Sequence, residues 1–133
     1  MKLLLDTHVW IWAFEGSRAL GSKCRRILVS ADNERWVSPI STLEIARLVD
    51  RGIIELVCPM SEWLVRSIKA LKLRTLEIDH ATAIEAYTLP GEFHADPADR
   101  LLVAAARVHG LKLVTADRKI LSYGGVDSMS AKQ

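Results

Sequence analysis

At 133 residues the chain fits one domain, a size at which roughly two-thirds of the unfolded surface is buried. Its make-up, 50% hydrophobic and 26% charged with a net charge of +2, is that of an ordinary soluble globular protein and marks no strongly basic nucleic-acid surface. No apolar run is long enough to span a bilayer and no leader-like segment opens the chain, while Cys24 and Cys58 lack metal or redox spacing, so a reducing cytoplasm is expected.

Lys2 to Leu5 reads as a buried first strand ending at Asp6. Thr7 to Phe14 follows as a short helix that turns at Glu15-Gly16, and Leu20 to Ala31 as a helix weakened at Gly21. Arg35 to Val37 predicts a second strand. The run from Ile40 to Gly52 predicts a helix whose start carries a capping-box signature in Ser41 and Glu44. Pro59 to Leu71 is amphipathic, with Trp63, Leu64, Ile68 and Leu71 inward. Leu76 to Ile78 alternates weakly and predicts a third strand, and Asp79 caps a helix over His80 to Leu89.

The stretch His94 to Asp117 is the most ordered signal. Asp96 occupies an N-cap position, Pro97 the first helical position and Asp99 the first turn. Leu101, Ala104, Ala105 and Val108 form the expected inner face, Gly110 stops the helix, and Leu111 to Val114 reads as a strand leading to Asp117. Asp117 can cap a short helix through Leu121; a last strand falls near Val126, and residues 123–133 form a partly frayed tail. Short apolar strands alternating with helices predict one α/β domain over residues 1–133, built on a central parallel sheet flanked by helices.

On that layout Asp6 and Asp117 follow the carboxyl ends of strands, while Glu44 and Asp99 lie near helix starts that face the same sheet edge. In open α/β sheets this edge forms the ligand crevice. Each acid taken singly is more often a cap, favoured by the helix dipole. Four together are different, because two carboxylates about 4 Å apart repel by roughly 4 kcal/mol at an effective dielectric of 20. Such a cluster protonates in part, spreads or holds a cation; without cysteine ligands the cation is a hard one such as Mg²⁺ or Mn²⁺. Metal-assisted phosphodiester hydrolysis follows as a reaction class. HExxH spacing, a GxSxG elbow, a Walker loop and GxGxxG are all absent, and His8 stands where a phosphoaspartate enzyme would need a second Asp.

Three motifs, LLLDTHVWIW (Leu3–Trp12), SPISTLEIARLVDRG (Ser38–Gly52) and HADPADRLLVAAARVHGLKLVTAD (His94–Asp117), resemble those of the PIN-domain ribonuclease toxins of prokaryotic VapBC toxin–antitoxin pairs. The resemblance covers nearly the whole chain. It implies a PIN-like fold and Mg²⁺- or Mn²⁺-dependent endonucleolytic cleavage of RNA. It further implies a homodimer inhibited by a VapB-like antitoxin over the acidic pocket. Asp6, Glu44, Asp99 and Asp117 match the family's acids, with Asp96 a cap or outer group. Thr7 and Thr115 are expected to orient the acids or contact substrate, Arg100 to contact phosphate, and Trp10, Trp12 and Leu43 to form part of an antitoxin contact. The rival readings are a related nuclease acting on DNA or structured nucleic acid, and a non-catalytic module whose acids dock a basic peptide.

Overall fold

The computed structural model describes all residues, Met1 to Gln133. Its elements in chain order are β1 (Lys2–Leu5), α1 (Thr7–Glu15), α2 (Ser22–Val29), β2 (Glu34–Val37), α3 (Pro39–Asp50) and α4 (Met60–Leu71), then β3 (Leu73–Thr75), α5 (His80–Glu85), α6 (Pro97–His109), β4 (Lys112–Thr115), α7 (Arg118–Leu121) and β5 (Ser128–Ser130). The five strands form one sheet in the order β3-β2-β1-β4-β5, and every pairing is parallel. No helix is long and apolar enough to cross a membrane.

Strand alternation divides the core into two. Leu3, Leu5, Val37, Leu73 and Val114 share one cluster with Val9, Trp10, Leu28 and Trp63 from the helices. Leu4 and Leu113 point the other way and pack with Leu102, Val103, Ala105 and Ala106 of α6 and with Ile120. Both faces of the central strands are therefore covered, which is why β1 and β4 read as short apolar runs. Trp10 is fully buried against Trp63, ring centroids 5.3 Å apart, and its indole N–H donates to Ser67 Oγ at 3.0 Å. It belongs to the core.

Four expectations are corrected. The third strand is Leu73–Thr75, not Leu76–Ile78. Lys72, at φ 53°, ends α4 in a left-handed turn that feeds the strand directly, and Leu76 follows it, its N–H still bonded to Val37 O at 2.8 Å. Helix α3 starts one turn earlier than the capping-box signature suggests: Ser38 caps it, accepting from Ile40 N–H at 3.2 Å, with Pro39 in the first turn. In α6, Leu102 through Ala106 are all buried while Val108 is exposed, because α6 lies between the sheet and neighbouring helices and small alanines admit both. The tail is not frayed. β5 pairs with β4, Ala131 is fully buried, and Gln133 O accepts from Cys24 N–H at 2.9 Å in the uncapped first turn of α2.

Arg35 is the one buried basic side chain. From β2 its guanidinium donates to Leu28 O at 2.7 Å and Ser30 O at 3.0 Å beyond the end of α2, and to Leu71 O at 2.9 Å at the end of α4. A cation thus satisfies carbonyls at the negative ends of two helices. Arg35→Ala is expected to lower stability by about 3 kcal/mol, a Tm drop of roughly 10 °C in thermal unfolding, because it strands those acceptors. A shift below about 2 °C contradicts this role.

Candidate functional site: an acidic centre at the sheet switch point

β1 is the middle strand, and the chain order of the sheet reverses between β1 and β4. Parallel α/β sheets open a crevice outside the carboxyl ends of the strands at this point. Leu5 pairs with Val114, so the next residues, Asp6 and Thr115, meet side by side. Asp6 Oδ2 accepts the Thr115 hydroxyl at 2.6 Å, and Oδ1 accepts Thr7 N–H at 2.7 Å as the N-cap of α1. Thr115 Oγ1 also accepts Asp117 N–H at 3.0 Å, so one buried hydroxyl orients two acids. The Thr7 hydroxyl donates to Ser41 Oγ at 3.0 Å and pins α3 beside α1. Glu44, three residues after Ser41, then lies on the same side of α3.

From the opposite wall comes the start of α6. Asp96 Oδ1 accepts Asp99 N–H at 3.0 Å, the cap read from the sequence. Single oxygens of Glu44, Asp96 and Asp99 lie within 4.8 Å of one another, as do ligating atoms of His94, Asp99 and Asp117. Asp99 is common to both groups. Asp6 lies in neither, yet its charge acts on Glu44 and Asp99. The structure therefore draws Asp6, Glu44, Asp99 and Asp117 to one sheet edge and adds Asp96 and His94.

The electrostatics follow from like charges in a partly buried place. Asp99 is pushed up to about 7, first by burial and then by Asp96, Asp6, Asp117 and Glu44. Glu44 is raised by burial, then by Asp6 and Asp96, with Arg47 opposing. Burial also raises Asp6, against the hydrogen bonds from Thr115 and Thr7. His94 Nε2 lies 3.1 Å from Asp99 Oδ2 but off the hydrogen-bond direction, so this buried nitrogen has no hydrogen-bond partner. Mutually repelling carboxylates beside an orphaned imidazole nitrogen fit a bound divalent cation. The oxygen-rich donor set favours a hard ion.

Other expected roles change. Thr7 and Thr115 are buried, and their hydroxyls hold Ser41 and the acids. Glu44 and Ser41 form no capping box, since Ser41 accepts from Thr7 and the cap is Ser38. Arg100 donates to Ala86 O at 2.9 Å and Phe93 O at 3.0 Å and covers the Tyr87 ring at 5.2 Å. Its guanidinium clamps the segment before α6. His94 joins the site without a local sequence signal, since only the path of its loop brings it to Asp99.

Residues 3–126 match the PIN domain family, and the chain belongs to it. It is 38% identical over 121 residues to Ribonuclease VapC22 of Mycobacterium tuberculosis, covering 91% of each chain. Among solved structures it resembles VapBC2 from Rickettsia felis bound to a promoter DNA fragment (TM-score 0.70, 15% identity, 98% of each chain). DNA-bound VapBC from Salmonella typhimurium matches equally well in fold (TM-score 0.70, 20% identity, 98% of each chain).

The raised Asp99 carboxyl has a consequence for stability without metal. An unstructured chain ionises this group near 3.8, whereas the folded chain does so near 7. Between those values the folded state holds the extra proton, so its stabilising effect is complete below pH 4 and lost as pH rises through 7. Asp99→Asn is expected to raise the Tm of metal-free protein by several degrees at pH 7.5 and to change it little at pH 4. An equal effect at both pH values in calorimetry contradicts the raised Asp99 carboxyl.

Proposed function

We propose that this chain is the toxin of a type II toxin–antitoxin pair and acts as a divalent-metal-dependent endoribonuclease. The observation that carries the reading is the gathering of Asp6, Glu44, Asp99 and Asp117 at the switch point of a chain 38% identical to a ribonuclease. Asp6, Glu44 and Asp99 are the principal cation-holding groups, with Asp117 assisting. Mg²⁺ or Mn²⁺ bound there supplies Lewis acidity and a more acidic hydrolytic water.

The chain's own contribution is positioning. Thr115 holds Asp6 in one rotamer through its 2.6 Å hydrogen bond and fixes the backbone ahead of Asp117. His94 Nε2, 3.1 Å from Asp99 and without a hydrogen-bond partner, adds a nitrogen donor beside the carboxylates. Asp96 keeps the first turn of α6 formed while adding negative charge beside Glu44 and Asp99. The partners in this reading are RNA, a VapB-like antitoxin and a second copy of the chain, in the cytoplasm of a prokaryote. An open apolar groove along α3 and α4, with Leu43, Ala46, Leu64 and Ile68, supports antitoxin docking.

Purified protein is expected to cleave a mixed RNA pool in Mg²⁺ or Mn²⁺, to stop with EDTA and to recover when metal is restored. Asp99→Asn should cut the rate by about 10²-fold or more with an unchanged circular dichroism spectrum. Equal cleavage by variant and parent sinks the assignment, and preferential cleavage of DNA favours the rival nuclease reading. Thr115→Val, which keeps shape and removes the hydroxyl, is expected to lose about 10–100-fold in activity or metal affinity. Titration of cleavage against metal concentration checks it.

A further inference from the structure

Beside the acidic centre lies a cleft of about 740 Å³ that no role above uses. One wall is the loop before α6, with Phe93 and His94; the other is α7 and the turn after it, with Lys119, Tyr123 and Gly125. Two links make it continuous with the acids. His94 lines the cleft and touches Asp99 at 3.1 Å, and Lys119 N–H donates to Asp117 Oδ1 at 2.8 Å.

The lining suits a planar aromatic guest. Phe93 meets His94 and Tyr123 at tilted angles, with ring centroids 4.4 Å and 4.9 Å away, and all three rings are only partly buried along the cleft. Both walls are fastened. The Tyr123 hydroxyl donates to Pro90 O and ties one loop to the other, while Arg100 holds the Phe93 carbonyl at 3.0 Å. Gly125 leaves room for the Tyr123 ring, because a Cβ there would lie 2.4 Å from it. A cleft with fixed walls binds without first ordering its own loops. Lys119 is exposed and adds a mobile cation, against the single acid Glu92.

We propose that this cleft is a nucleobase subsite, which stacks a base of single-stranded RNA next to the phosphate under attack while Lys119 meets the neighbouring phosphate. The inference rests on the ribonuclease reading and adds a specificity determinant to it. Single-stranded RNA is recognised by splayed bases stacking on aromatic side chains, whereas phosphate contacts give affinity without sequence. Phe93 and Tyr123 are therefore specificity residues, not catalytic ones.

The test uses the full chain and a short single-stranded RNA carrying 2-aminopurine, whose fluorescence falls on stacking. Binding to Asp99→Asn protein should quench the probe, and adding Phe93→Leu or Tyr123→Leu should abolish quenching and weaken binding about tenfold. In the otherwise native chain the same substitutions should raise KM about tenfold, leave kcat within a few-fold and change the set of cut sites. If either leucine variant fails to fold, Lys119→Gln and Gly125→Ala decide. The first should raise KM and flatten its salt dependence; the second should move the Tyr123 ring and relax cut-site choice. Unchanged quenching, KM and cut sites overturn the subsite, as does loss of antitoxin binding with unchanged RNA kinetics. Quenching that depends on Phe93 in a protein that cuts no RNA leaves the subsite standing and removes the ribonuclease reading instead.

Discussion

The pairing of β1 with β4 is the constraint on which the rest depends. Because Leu5 faces Val114, Asp6 arrives beside Thr115, and a 2.6 Å hydrogen bond fixes a carboxylate that burial alone would disfavour. Slipping either strand by one residue would turn Thr115 to the opposite face and leave Asp6 buried without its donor. The two cores hold that register, since Leu5 and Val114 belong to one and Leu4 and Leu113 to the other. Packing and acidity are thus one problem: the sheet that buries the apolar residues also delivers the charges.

Those charges repel. Ordinary surface acids spread apart or are screened, but here helix starts and strand ends hold them in place. Each acid of the centre except Glu44 also accepts a backbone N–H or lies in the first turn of a helix. Capping and cation binding draw on the same oxygen-rich geometry. The caps supply rigidity, and the accumulated repulsion supplies affinity for a dication.

Much of this was legible in the sequence because it is local. Strand β1, helix α1 with its Gly16 stop and the Asp96-Pro97 start of α6 lie where periodicity and cap chemistry put them. The four acids were legible too, since each sits at an element end that the parallel layout sends to one edge. What failed depends on distant partners. Strand β3 is defined by its pairing with β2, not by its own weak alternation, and β5 exists because β4 offers it an edge. The clamp of Arg100 on the Ala86 and Phe93 carbonyls depends on a loop whose path no local pattern gives. The place of His94 in the site is not legible either, because nothing in its neighbours shows that the loop folds back onto Asp99.

Arg35 joins segments that are far apart in the chain. Its guanidinium serves carbonyls at the ends of both α2 and α4, so neither helix end can open without stranding a charge that the other still holds. Two helices separated by a strand and another helix therefore open together, as one cooperative block on that face of the sheet.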